Sequence, residues 1–258
     1  MPTDKTTIKS YDGYAQKWAD KMKEGKRPAH DFMEKPAMYS LLPNLKNKNI
    51  LCIGCGTGEE CSYLKSKGAK SVTGIDISKG MIDVAKKNFP DINFIVADIE
   101  NLKFKNNSFD FVYSSLAMHY INDWKKPLQK IYSLLKPNSK FLFSTHNPVH
   151  YAAEFSEQGD VTTHLSGFRK LNNNVVIIYG DYLKERLIKD KWFGDFKVNY
   201  FHRPMSSLIN DIASTKFKIS HCIEPTMTEG AKKNYGAYYK IYSKYPMLII
   251  FELTKLNS

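Results

Sequence analysis

The 258-residue chain is short of cysteine, of long apolar runs and of charge blocks. Its four cysteines, Cys52, Cys55, Cys61 and Cys222, are too few and too uneven for a disulfide framework, which suits a reducing compartment. No apolar run reaches the roughly 18 residues that a membrane span needs, and the opening MPTDKTTIKSYDGY lacks the apolar core of a secretory signal. A cytoplasmic protein with no membrane span is the expectation. The formal charge is +12, yet the lysines are scattered and never form a block of five. That leaves a nucleic-acid partner open without requiring one.

What is present is a rhythm. The segments NILCIG, SVTGID, INFIVA, SFDFVYSS and KFLFSTH read as strands, and helical patterns such as KGMIDVAKKN and WKKPLQKIYSLLKP lie between them. Strands alternating with helices argue an α/β fold with a mostly parallel sheet covered on both faces. The length fits a single domain over residues 1–258. Residues 1–45 form an N-terminal helical cap, with Tyr11, Tyr14, Trp18 and Met22 at helical spacing and DFMEKPAMYSLLP as a second helix. After Pro148 the rhythm breaks, and residues 150–203 read as an inserted antiparallel piece or lid. Helix, strand and strand return in SSLINDIASTK, FKISHCIEP and YPMLIIFELTK.

The stretch ILCIGCGTG places Gly54, Gly56 and Gly58 between a predicted strand and a helix beginning near Glu59. Bare backbone there can turn sharply and approach a ligand at a helix N-terminus, beyond the carboxyl end of a parallel strand. A nucleoside triphosphate would want a Lys-Ser/Thr pair closing the loop, and a dinucleotide would want glycine where Glu59 stands. Glu59 and Glu60 oppose phosphate and tolerate a cation. Asp76 ends the second predicted strand, where a carboxylate can accept from both hydroxyls of a ribose. Asp98, in VADIE, ends the third, with Ile77, Met81 and Ile99 placed to sandwich a ring.

On these residues the chain resembles the class I S-adenosylmethionine-dependent methyltransferases. ILCIGCGTG is similar to that family's first motif, GIDIS to its ribose-binding acid, VADIE to its adenine-binding segment, FDFVYSSLAMHYI to its fourth-strand motif and LLKPNSKFLFSTHNP to its fifth. The likeness is greatest to the small-molecule branch that includes quinone- and biotin-pathway enzymes. It implies a Rossmann-like fold of seven strands in the order 3-2-1-4-5-7-6, the last antiparallel, with an antiparallel insertion after strand 5. It also implies S-adenosyl-L-methionine as cofactor and S-adenosyl-L-homocysteine as product. Gly54, Cys55, Gly56 and Gly58 would then hold the methionine part, Asp76 the ribose, and Asp98 and Ile99 the adenine, with Ser114 at the methyl end. Cys52 stands where the family usually carries an acid, and Glu59 or Glu60 is the candidate substitute. The C-x-x-C of Cys52 and Cys55 straddles a buried strand and its loop, and no metal is expected.

Methyl transfer from a sulfonium requires alignment, exclusion of water and, for a protonated acceptor, a base. His119 is the first candidate base and His146 the second. Tyr14 and Trp18 are placed to close over the cofactor by cation-π attraction or to pack on the core. His202 and Arg203 could reach a substrate, Arg203 suiting a carboxylate or phosphate, or could serve structure alone. The segment KKNYGAYYKIYSKYP, with Tyr235, Tyr238, Tyr242 and Tyr245, reads as a packing helix or as a base-stacking surface. The expected activity is methylation of a small-molecule acceptor. The alternatives are an RNA (tRNA) methyltransferase and a non-catalytic cofactor-binding sensor. The oligomeric state is not legible.

Overall fold

A computed structural model describes residues 3–158, 161–171, 175–192 and 194–257. Helix α1 (Lys5–Glu24) starts earlier than the apolar stripe predicts, because the Asp4 side chain accepts from the amides of Thr6 and Thr7. It stops at Gly25, whose φ is 62°. The second predicted helix divides into a π turn (His30–Glu34) and α2 (Lys35–Ser40), with Pro36 in the first turn of α2. Proline has no amide hydrogen to return to the turn before it, so the ladder is interrupted there.

The central sheet contains β1 (Asn49–Ile53), β2 (Ser71–Asp76), β3 (Asn93–Val96), β4 (Phe109–Ser114), β5 (Leu135–His146), β12 (Phe217–Ile223) and β13 (Leu248–Lys255). Their order is β12-β13-β5-β4-β1-β2-β3, and β13 runs antiparallel to both neighbours. This is the expected seven-stranded order. Strand β1 shows why the sheet needs two covers. Leu51 and Ile53 enter one core beside α5 (Lys125–Leu134) and α7 (Met205–Ala213), while Ile50 and Cys52 enter the other beside α2, α3 (Glu59–Ser66) and α4 (Lys79–Asn88). Phe111, Phe141, Phe143 and Phe251 are completely buried, each contributing about 1.5–3 kcal/mol by leaving water.

After β5 comes a single helical turn, α6 (Pro148–Tyr151), and then three two-stranded antiparallel ribbons: β6 (Glu154–Gln158) with β7 (Val161–Leu165), β8 (Gly167–Lys170) with β9 (Val176–Tyr179), and β10 (Arg186–Lys191) with β11 (Lys197–His202). Only the third packs deeply. Phe196, Val198 and Tyr200 form a cluster with Tyr11, Tyr14 and Trp18 of α1. Thr7 Oγ1 accepts from the Asn199 amide at 2.8 Å. The N-terminal helix also docks on α4: Asp12 Oδ1 accepts from Ser78 Oγ at 2.6 Å and from the Gly80 amide at 2.9 Å. Helix α8 (Gly236–Tyr242) precedes β13.

Candidate active site

The carboxyl ends of β1, β2, β4 and β5 open into one cavity of about 1170 Å3, which α1, the π turn and the ribbons also line. The glycines before α3 do not all serve it alike. Gly54 (φ 63°) faces Ala117, and an added Cβ would stand 2.4 Å from the Ala117 methyl. Gly56 (φ 51°) has nothing within 4 Å of such a Cβ and lies on the cavity wall. Gly58 (φ 95°) is the N-cap of α3, and a Cβ there would strike Phe94 and Phe89. It does not line the cavity, and its bareness serves packing.

Asp76 ties the loop to the second strand. Its Oδ2 accepts from the Gly56 amide and its Oδ1 from the Ser78 amide, both at 2.9 Å. Burial, with the Asp12 charge adding to it, raises its pKa against those hydrogen bonds. Each carboxylate oxygen keeps a lone pair for a ligand. Asp98 caps a short 3-10 turn (Ile99–Asn101), with Oδ1 accepting from the Glu100 amide at 2.9 Å. Ile77, Met81, Ala97 and Ile99 line the cavity together with the two acids. The wall thus offers two carboxylates and four apolar side chains, chemically suited to a nucleoside.

Elsewhere the cavity wall is aromatic. His119, in a 3-10 turn after β4, stacks on His146 at the end of β5 with ring centroids 3.5 Å apart and planes at 6°. His146 stacks in turn on Tyr151 at 3.6 Å and 9°. Tyr200 meets His146 edge-on at 4.7 Å, and Tyr242 meets His150 at 5.7 Å. Burial pushes the His119 pKa down to about 3. The His146 pKa falls well below 6.5 through burial, helped by His119 and His150, and that of His150 falls to about 3. These imidazoles are neutral at ordinary pH, and both ring nitrogens of His119 and Nδ1 of His146 and His150 have no hydrogen-bond partner among the described residues. They can accept a proton or a hydrogen bond from a ligand.

Other expected site residues take different places. Cys55 and Cys52 line the cavity as buried thiols, and burial raises the Cys55 pKa to about 11, which keeps thiolate chemistry from it. Ser114 is fully buried and away from the cavity, and Ser115, the next residue, takes that wall. The two-residue period of a strand explains the exchange. Trp18 reaches the cavity but already stacks on Phe196 and carries the Arg27 guanidinium 4.3 Å over its ring. Tyr14 does not line it. It packs edge-on against Phe196, with its hydroxyl accepting from the Asp195 amide. His202 and Arg203 also stay out of the main cavity. His202 Nε2 bonds the Tyr182 carbonyl, and Arg203 pairs with buried Asp211 at 2.6 Å. Asp211 also accepts from the Trp124 amide, so Arg203 neutralises a structural carboxylate.

The pattern of the sequence does not reveal a second polar cluster on the wall. His30 Nε2 stands 3.4 Å from Glu60 Oε1, 3.6 Å from Glu34 Oε2 and 3.4 Å from Ser115 Oγ. Glu34 Oε1 accepts from Ser144 Oγ, which accepts from the Leu116 amide. Glu59 instead accepts from Thr57 Oγ1 at 2.6 Å, and burial raises its pKa. Tyr11, hydrogen-bonded to Tyr120 at 2.6 Å, and Tyr238 also belong to the wall. Apart from His30 and Glu34, which share the π turn, these groups come from segments far apart in the chain. His150 and Tyr151 could have been found, since NPVHY follows β5 directly.

Residues 51–143 match the family described as a methyltransferase domain. The solved structure of an S-adenosylmethionine-dependent methyltransferase from Mesorhizobium loti is 28% identical, with a TM-score of 0.70, over 86% of this chain and 97% of that one. A structure from Listeria monocytogenes described as a putative S-adenosylmethionine-dependent methyltransferase is 26% identical, with a TM-score of 0.70, over 87% and 98%. The ubiquinone biosynthesis O-methyltransferase of Coxiella burnetii (strain Dugway 5J108-111) is 32% identical over 56% of this chain, an alignment that spans 63% of that relative's length. The glycine loop, Asp76 and Asp98 all lie within the matched span, so the chain carries a methyltransferase domain and is similar over most of its length to S-adenosylmethionine-dependent methyltransferases of known structure.

Proposed function

We propose that the chain methylates a small, planar, hydroxyl-bearing acceptor held between the glycine loop and the histidine-tyrosine wall. The observation that carries this reading is the wall itself: neutral, buried imidazoles with unpartnered nitrogens, stacked among tyrosines, facing a cavity large enough for two ligands. A single drug-sized ligand fills roughly 300–1,000 Å3. The Coxiella relative is named as a ubiquinone biosynthesis O-methyltransferase, which supports the same acceptor chemistry.

In this reading Asp76 accepts from the ribose hydroxyls, Asp98 from the adenine amino group, and Ile77, Met81 and Ile99 cover the ring. Gly54, Cys55 and Gly56 offer backbone to the methionine part. When bound, S-adenosylmethionine supplies an electrophilic methyl on a sulfonium. His119 and His146 orient the acceptor hydroxyl, and one of them takes its proton as the oxygen attacks in line. Burial holds both rings neutral with nitrogens open to the acceptor's hydroxyl, and because it also weakens them as bases, the proton moves together with the methyl and not before it. Residues 150–203 act as a lid that keeps water from the transfer, and residues 1–45 close the opposite side.

The test is calorimetric binding of S-adenosylmethionine and S-adenosylhomocysteine, followed by transfer of labelled methyl to panels of phenols, carboxylic acids, amines and tRNA. Product from phenols, with His119→Gln abolishing turnover but not cofactor binding, is the expected result. Tight cofactor binding with every panel blank would make the chain a non-catalytic binder, and product from tRNA alone would replace the small acceptor with RNA.

A further inference from the structure

Around His30 the cavity wall gathers more negative charge than it matches. Three carboxylates stand near the ring: Glu60 at 3.4 Å, Glu34 at 3.6 Å and Asp31 at 3.8 Å. One further cation reaches them, Lys35, which lies 3.4 Å from Asp31 and 3.9 Å from Glu60. Even with His30 protonated, three acids face two bases, and one negative charge is left over. Glu34 is completely buried and Glu60 is 7% exposed. A buried carboxylate without its partners is unfavourable, and a ligand that supplies them removes the penalty.

The missing partners belong to identifiable atoms. Glu60 Oε1, Glu34 Oε2 and His30 Nδ1 are buried and have no hydrogen-bond partner among the described residues. Glu34 is turned into the protein, where its other oxygen accepts from Ser144 Oγ, and it does not line the cavity. Glu60 and His30 do line it. Glu60 sits in the first turn of α3, two residues past Gly58, and its charge is near enough to add to the raised pKa of Cys55. His30 comes from the π turn, a geometry that recurs at functional sites.

Place and chemistry select the occupant. For the methionine part of the cofactor the glycine loop offers backbone and the thiols of Cys52 and Cys55, with no carboxylate of its own. An α-ammonium brings three donors and a positive charge. Glu59 also lines the wall, but one of its oxygens accepts from Thr57 and burial raises its pKa, so it holds a cation less well. Among the described residues no His, Cys, Asp and Glu side chains are grouped as a metal ion requires. We propose that Glu60 and His30 seat the α-ammonium of the cofactor, with the charge of Glu34 behind them. The N-terminal cap is then part of the cofactor site and not only its cover. This rests on S-adenosylmethionine occupying the glycine loop.

The experiment measures by calorimetry the binding of S-adenosylhomocysteine, of its analogue with hydrogen in place of the α-amino group, and of methylthioadenosine, which lacks the amino-acid part altogether. The proteins are the wild type, Glu60→Gln and Glu59→Gln. Loss of the amine should weaken binding about 10- to 100-fold in the wild type and in Glu59→Gln, and about threefold or less in Glu60→Gln. Methylthioadenosine should bind all three proteins alike, which shows that the fold is kept. An equal amine penalty in the wild type and Glu60→Gln overturns the proposal. So does a wild type with no penalty, or a penalty that Glu59→Gln removes instead. A wild type that binds none of these ligands overturns the cofactor reading itself, and the proposal falls with it. Should Glu60→Gln lose methylthioadenosine as well, Glu60→Asp takes its place, with the charge on a shorter side chain. A reduced penalty there supports the seat, and an unchanged one overturns it.

Discussion

The two halves of the cavity are built on opposite principles. The cofactor half hangs on residues 49–146, where strand after strand is buried on both faces and the functional groups stand at strand ends. The opposite half is lined by α1, the π turn and residues 150–203, where β8 is exposed at every position, β9 at all but Tyr179, and β11 reaches a core. A nucleoside has a fixed shape, and a rigid sheet edge suits it. Ribbons that bury little can change sequence without unfolding the sheet, which places variation in acceptor or surface where it costs least.

The largest contrast concerns stability. Phe143→Ala, at a fully buried position of β5, should cost about 3–5 kcal/mol in a denaturant titration, and Ile178→Ala on the exposed ribbon should stay within about 0.5 kcal/mol. Equal losses would break the distinction. Next is Asp76→Ala, which removes a carboxylate holding two backbone amides and, in the proposed site, two ribose hydroxyls. Cofactor affinity should fall about 100-fold or more by calorimetry, at roughly 1.5–3 kcal/mol for each hydrogen bond to a charged group.

The wall between the halves supplies a pH test. His119 is held near pKa 3 in the fold against 6.5 in the free side chain, so below 6.5 the unfolded chain binds the extra proton. Stability from this group is whole above 6.5 and falls as the pH drops toward 3, with a slope approaching about 1.4 kcal/mol per pH unit. His146 and His150 add in the same sense, while Asp76, raised by burial, pulls the other way. The informative quantity is therefore the difference between wild type and His119→Phe, whose stability between pH 7 and pH 5 should slope less steeply by one histidine's share. The smallest effect sharpens the glycine loop. Gly56→Ala should cost only the left-handed backbone strain of about 1–2 kcal/mol, and Gly54→Ala more, because its methyl would also strike Ala117.

How much of this could be read along the chain varies with the range of the interaction. The strand rhythm and the positions of Asp76 and Asp98 were legible, since each depends on neighbours within a few residues, whereas the seven-strand order, which pairs distant segments, came only through the resemblance. Gly58 was placed correctly before its helix, but its packing role was not legible, because the side chains that fill its space, Phe89 and Phe94, come from α4's end and from β3. Arg203 looked available for an anion, and only the fold shows Asp211 eight residues on as its partner. Tyr14 and Trp18 carried the right spacing for a packing stripe, yet their partner Phe196 lies about 180 residues away in sequence, beyond any local pattern.

By itself, then, the amino-acid sequence determined the α/β rhythm, the bare loop after β1 and the acids at the strand ends, because periodicity and turn chemistry act over short spans of backbone. The tertiary structure alone decided that His119 lies flat on His146, that His30 faces Glu60, and that the apolar ribbons are left uncovered. Those facts depend on which distant segments share a cavity or a surface, and burial then sets the protonation state of what meets there.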